Sequence, residues 1–135
     1  MRFVDTNVLL YAVSRDPQEQ PKADRARGIL AERDLALSGQ VLQEFYVEAT
    51  REGRPDPLTH EQAAKLVESF LRFPLADIDR RLVLAAIATH HRFGISYWDA
   101  AILEAARSLG CDTVISEDLS DGQDYAGVRV QNPFG

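Results

Sequence analysis

The strongest constraint on this chain is an alternation of short apolar runs with longer stretches of helical spacing. Arg2 to Val4 is β-prone and stops at Asp5; Asn7 to Val13 then reads as helix, with Asp5 or Thr6 available as its N-cap. A second helix is expected over Glu19 to Glu32, with Ala23, Ala26, Ile29 and Leu30 on one side and Pro21 in its first turn. Leu35 to Leu37 is the next strand candidate, and Val41, Leu42, Phe45, Tyr46 and Ala49 set a helix from about Gln40 to Arg51. Beyond Pro55 and Pro57, Thr59 and Gln62 carry a capping-box signature. The stripe Ala63, Leu66, Val67, Phe70 and Leu71 follows it, and Pro74 ends the helix. Leu75 to Ile78 is a third strand candidate; Asp79 caps a helix that runs through Leu82, Val83, Ala86 and Ile87 and stops at Gly94. Ser96 opens a further helix with Ala101, Ile102, Ala105, Ala106 and Leu109 inward and Gly110 as its stop. Thr113 to Ser116 and Val128 to Val130 supply the fourth and fifth strands.

Short apolar strands joined by helices imply right-handed crossovers and a mostly parallel sheet covered on both faces, a three-layer α/β domain. Neither Asp16–Pro21 nor Gly53–Pro57 is long enough to separate domains, so residues 1–135 are expected to form one. The 15 Lys+Arg against 21 Asp+Glu leave a charge of −6, which argues against non-specific, whole-surface binding of nucleic acid. A single cysteine, Cys111, excludes an internal disulfide and fits a small buried residue in a reducing compartment. The opening apolar run is too short to span a membrane and no small-residue cleavage site follows, so a cytoplasmic protein is expected.

In open parallel sheets, ligands bind beyond the carboxyl ends of strands where the strand order switches. Asp5 directly follows the first strand and Asp118 closely follows the fourth, while Asp99 sits in the first turn of the helix leading into the fourth. A switch between these two strands would bring Asp5, Asp99 and Asp118 to one crevice, with Glu44 reaching the same edge from a neighbouring helix. Converging carboxylates repel one another unless a cation binds or some protonate, and hard oxygen ligands select Mg²⁺ or Mn²⁺ over zinc. Each acid also has a plain structural role open to it. Asp5 can serve as an N-cap, and Asp99 as the acid of a capping box with Ser96. Glu44 can be a solvated residue whose like-charged neighbour Glu48 is relieved by Arg51, and Asp118 and Asp121 can be turn formers. No one acid identifies an enzyme.

The remaining candidates are weaker. His90 and His91 lack an HxxxH or HExxH pattern and read as surface residues, and His60 has no evident partner. Tyr97 and Trp98, beside Asp99, are core or substrate-stacking aromatics, with core the plainer expectation. No phosphate-binding glycine loop occurs.

Taken in order, FVDTNVLLYA, LSGQVLQEFYVEAT, ISYWDAAILEAARSLGCDTVISEDLSDGQ and VQNPF resemble the PIN-domain family, specifically the VapC-type toxin ribonucleases of bacterial toxin–antitoxin pairs. The resemblance runs over essentially the whole chain. It matches the family's four acidic positions at Asp5, Glu44, Asp99 and Asp118, with adjacent Glu117 the other candidate for the fourth. Thr6, Asn7 and Ser116 match the polar companions. It implies a five-stranded parallel sheet of order 3-2-1-4-5 and Mg²⁺- or Mn²⁺-dependent hydrolysis of RNA phosphodiesters. It further implies an antitoxin protein as inhibitor and a homodimer. On this reading Asp5, Asp99 and Asp118 hold metal, and Glu44 orients or deprotonates the attacking water. Arg15, Arg51, Arg54, Arg80 and Arg81 are candidates for contacts to the RNA backbone, arginine suiting bidentate phosphate contacts.

Two other readings compete. A haloacid-dehalogenase-like phosphatase needs a second Asp two residues after the first, where this chain has Asn7. A non-catalytic interaction module on the same fold would have no reason to fill all four acidic positions. If the acids do crowd one crevice, the excess negative charge belongs to a site and not to the surface at large.

Overall fold

Phe3 and Val4 are fully buried in a three-residue strand, and everything that matters for the site is arranged around it. The computed structural model describes residues Met1–Gly135. In chain order the elements are β1 (Arg2–Val4), α1 (Thr6–Ala12), a 3₁₀ turn (Pro17–Glu19), α2 (Gln20–Leu30), β2 (Leu35–Ser38) and α3 (Gly39–Ala49). There follow α4 (His60–Phe70), β3 (Leu75–Ala76), α5 (Arg80–Phe93), α6 (Tyr97–Ser108), β4 (Thr113–Ile115), β5 (Asp124–Tyr125) and β6 (Val128–Gln131). The sheet order is β3-β2-β1-β4-β6-β5. Pairings from β3 across to β6 are parallel, and β1 lies between β2 and β4 with Arg2 opposite both Leu35 and Thr113. The strand order therefore switches between β1 and β4, where a crevice at the carboxyl ends is expected.

Local chemistry explains the element boundaries. Asp5, Ser38, Thr59, Asp79 and Ser96 each cap the helix that follows, and Thr59 with Gln62 closes a full capping box. Gly94 ends α5 in the left-handed region at φ 66°, where a Cβ would be strained. The four residues of β2 are all buried, as a central strand of a covered parallel sheet must be. A core of 28 buried residues links the strands to all six helices, α5 entering it through Leu82, and α5 also packs on α6 through Ala86 against Ala100 and Ala101. No helix is long and apolar enough to cross a membrane.

The structure departs from the expectations at identifiable places. The sheet has six strands, not five, because Asp124–Tyr125 pairs antiparallel with β6 at the edge. Ala126 and Gly127 both take positive φ, the backbone a tight two-residue hairpin requires, and Asp124 accepts a bond from the Gly127 N–H at 2.7 Å. The strand expected fifth is thus the sixth in chain order. The third strand stops at Ala76, and Ile78 is exposed. Leu71 lies past the end of α4 and is exposed; Val83 and Ile87 are also exposed, since α5 meets α6 through alanines and leaves its bulkier side in water. The second helix begins at Gln20, after the 3₁₀ turn. His60, expected to stand alone, bonds to the Tyr46 hydroxyl at 2.8 Å through Nδ1.

Candidate functional site

The crevice at the β1–β4 switch is built from the residues that directly follow each strand. Asp5 leaves β1, and its N–H donates to the Ile115 carbonyl at 3.0 Å, so the two strand ends are tied together where the chain turns into α1. Its side chain is buried; one oxygen accepts from the Thr6 N–H at 2.7 Å and the other from the Ser116 hydroxyl at 2.7 Å. The same Ser116 oxygen accepts from Asn7 Nδ2 at 3.3 Å and from the Asp118 N–H at 3.1 Å. Ser116 is therefore the joint between the loop after β4 and the start of α1. Asn7 completes it, donating to the Asp118 carboxylate at 3.1 Å and accepting from the Glu117 N–H at 3.2 Å.

Glu44, on α3, is held at both oxygens: Thr6 donates its hydroxyl at 2.8 Å and Gln40 its amide at 2.8 Å. Gln40 also reaches the Trp98 carbonyl at 3.3 Å, tying α3 to the first turn of α6. In that turn Asp99 is half-buried, with its N–H capped by Ser96. The structure thus joins Asp5, Thr6, Asn7, Glu44, Ser116 and Asp118 through direct bonds. Asp99 makes none of those bonds but lies within electrostatic reach of Glu44 and Asp118.

Glu117 is turned elsewhere. Tyr11 donates to it at 2.7 Å and Lys22 at 2.8 Å, and the ammonium also sits over the Tyr11 and Phe134 rings. Burial works to raise the Glu117 carboxyl, but Lys22 and Tyr11 outweigh it and hold the group below the usual glutamate range. Of the two adjacent acids, Asp118 lines the cavity and Glu117 anchors the loop. That cavity, about 450 Å³, is bordered by Thr6, Asn7, Leu10, Gln43, Glu44, Val47, Glu48 and Asp118. A larger concavity of about 690 Å³ lies by β3 and the end of α6, where Glu104 and Arg107 satisfy each other at 3.0 Å; none of the four candidate acids borders it.

The electrostatics of the crevice are one-sided. Burial pushes Asp5 up to about 6, the Ser116 and Thr6 bonds oppose this, and Asp118 and Glu44 add to it. Burial likewise raises Asp99, with Ser96 opposing and Asp118 and Glu44 reinforcing. None of Asp5, Glu44, Asp99 or Asp118 has a Lys or Arg partner; the chain's ion pairs all use other acids. As the side chains stand, no three of them are grouped to hold one ion; neutral donors from Thr6, Asn7, Gln40 and Ser116 bond to oxygens of Asp5, Glu44 and Asp118. The donor set is nonetheless all carboxylate oxygen with no fixed counter-charge, the chemistry that suits Mg²⁺ or Mn²⁺.

A model of the PIN domain family matches residues 2–120. The chain belongs to this family. Among solved structures, a toxin–antitoxin complex from Klebsiella pneumoniae is similar to this PIN domain with a TM-score of 0.71, at 20% identity over 98% of each chain. VapC20 of Mycobacterium tuberculosis, a sarcin–ricin loop cleaving toxin, gives 0.66 at 18% identity over 87% of this chain and 92% of its own. DNA-bound VapBC from Salmonella typhimurium gives 0.67 at 22% identity, over 98% of this chain and 97% of its own. At these identities the likeness is one of fold. Comparison with curated proteins finds no match.

Around the acids, this PIN domain uses residues that the sequence did not single out. Gln40 precedes Glu44 by four positions, a helical spacing at which Gln and an acid meet, so it carried a readable signal. Tyr11 and Lys22 carried none, since Glu117 is 106 and 95 positions away from them. Of the candidate arginines, Arg15, Arg51 and Arg54 share a cleft of about 440 Å³, with Arg15 paired to Asp56 and Arg51 to Glu48. Arg80 and Arg81 open α5 instead. Tyr97 is half-buried, whereas Trp98 is 64% exposed, which overturns the expectation of a core residue.

Proposed function

We propose that this PIN domain is a divalent-metal-dependent endoribonuclease, the toxin of a toxin–antitoxin pair. The observation that carries the reading is the set of carboxylates at the β1–β4 switch: Glu44 and Asp118 lie within electrostatic reach of both Asp5 and Asp99, Asp5 is buried, and none of the four is paired with a cation. Asp5, Asp99 and Asp118 would hold the ion, directly or through water. Bound there, Mg²⁺ or Mn²⁺ would polarise the phosphodiester and offset the charge that develops on it.

The chain's own residues divide the remaining work. Glu44, fixed at both oxygens by Thr6 and Gln40, would orient a water toward phosphorus and accept its proton at a carboxylate oxygen. Ser116 and Asn7 would keep Asp5 and Asp118 aimed, and Tyr11 with Lys22 would keep Glu117 out of the crevice. The arginine cleft beyond α1 and α3 supports phosphate contacts from Arg15, Arg51 and Arg54.

The partners follow from the same features. An acidic cavity suits a basic segment of an antitoxin, and a toxin–antitoxin complex is among the structural neighbours. The apolar side of α5, with Val83, Leu84 and Ile87 in water, supports a homodimer.

Purified chain incubated with cellular RNA in Mg²⁺ or Mn²⁺ is expected to release discrete fragments, and excess EDTA to abolish their release. Equal cleavage with and without EDTA would overturn the metal-dependent reading. No cleavage under either condition would favour the interaction module.

A further inference from the structure

We propose that Trp98 is an RNA-stacking residue of the site, receiving a base of the strand whose phosphodiester lies over the carboxylates. The inference rests on the nuclease reading for the identity of the ligand and goes beyond it in naming the contact.

A large aromatic ring is the most rewarding side chain to bury, yet Trp98 keeps 64% of its surface in water. Its backbone is fixed close to the acids. The Trp98 carbonyl accepts from Gln40 at 3.3 Å, and the same amide nitrogen holds Glu44 at 2.8 Å; Asp99 is the next residue in the first turn of α6. The ring is steadied without being covered. Tyr97 stands nearly perpendicular to it, 5.1 Å between centroids and 86° between planes, and itself packs on Ala86, Ala100 and Ala101. The result is a steadied, solvent-facing indole on a backbone that adjoins Gln40, Glu44 and Asp99.

Charge explains why such a ring is useful here. A chain of charge −6 repels the phosphates it must hold, and a divalent ion in the crevice would offset only part of the charge of its four carboxylates. Stacking on a base tolerates any sequence and draws on the π-face of the base, not on the phosphate charge, so it supplies affinity that electrostatics withhold. Each stacked base is worth roughly tenfold to a hundredfold in affinity.

Trp98 is the only tryptophan in the chain, so it reports on itself. The test uses the Asp5→Asn chain, which the nuclease reading makes cleavage-deficient, and a mixed-sequence single-stranded RNA. Titration is expected to quench indole emission saturably. Trp98→Ala should weaken binding, read by anisotropy of labelled RNA, roughly tenfold to a hundredfold, with a similar ratio at low and high salt. Trp98→Phe should restore most of the affinity. Emission that ignores RNA, Trp98→Ala binding within about twofold of its parent, or no binding at all overturns the proposal. Sedimentation of the same variants covers the other occupant: if Trp98→Ala turns a dimer into a monomer while emission ignores RNA, the ring belongs to a protein interface and the proposal fails. The two readings separate cleanly. Wild type that cuts RNA with a silent Trp98 retains the nuclease and removes the stacking contact; a quenched Trp98 on a chain that never cuts does the reverse.

Discussion

Asp5→Asn is expected to lose RNA cleavage by roughly a hundredfold or more, while making the metal-free protein more stable above pH 6. The loss of activity follows from the assigned role, since partners one shell beyond a metal's ligands are already worth about 10–100-fold. The gain in stability follows from burial. The Asp5 carboxyl is pushed up to about 6 from 3.8, so the folded chain holds this proton more tightly than the unfolded chain does. Stability from that proton is fully present below pH 4 and is lost as pH rises through 6, a difference of about 3 kcal/mol at about 1.4 kcal/mol per unit. Asparagine is neutral throughout and escapes this penalty. Asparagine has one carbonyl oxygen where the carboxylate has two, so its NH₂ must face either the Thr6 N–H or the Ser116 hydroxyl, and that bond is lost at about 1 kcal/mol. The net gain is about 2 kcal/mol at pH 7.5, or roughly 5–10 °C in melting temperature. Calorimetric melts in EDTA should show the variant above wild type at pH 7.5, and the advantage gone near pH 4. A variant less stable than wild type at pH 7.5 would refute the buried-charge account.

The neighbouring acids Glu117 and Asp118 should respond to the same chemical change in opposite ways. Asp118→Asn is expected to keep the fold and to lower cleavage by roughly a hundredfold, because the lost charge borders the cavity and the amide still meets Asn7. Glu117→Gln should retain cleavage within about tenfold. Its carboxylate belongs to Tyr11 and Lys22, and that pair is partly exposed, at 27% for Glu117 and 42% for Lys22. Loss of an ion pair in that setting is worth about 1 kcal/mol at most. Cleavage rates of the two variants, compared after circular dichroism has matched their folds, decide the assignment. A Glu117→Gln chain that is inactive beside an active Asp118→Asn chain would exchange the two roles.

Local, short-range chemistry is what made parts of this molecule readable in advance. The apolar run Arg2–Val4 ending at Asp5, the capping box at Thr59 and the stop at Gly94 are each decided within a few residues. The general rule for parallel sheets then carried the acids to one edge without any knowledge of contacts. Failures came where distant parts of the chain decide. The hairpin at Asp124–Tyr125 is two residues long and turns on Ala126, a residue with no turn preference of its own. Trp98 sits on a helix with an apolar stripe, yet it is 64% exposed, because burial depends on which elements pack against each face of the helix. The side chains that separate Glu117 from Asp118 come from α1 and α2, near the other end of the chain. The charge of −6 was legible as a number, but its partial concentration at one strand switch needed the topology.

The central claim, that the unpaired carboxylates at the β1–β4 switch form a cation site, is tested most directly by calorimetric titration of the folded chain with Mn²⁺. Wild type is expected to bind Mn²⁺ saturably, to gain thermal stability as the ion is added, and to lose both responses in Asp5→Asn and in Asp118→Asn. Folded wild type that takes up no Mn²⁺, or variants that bind it as wild type does, would contradict the assignment of the site.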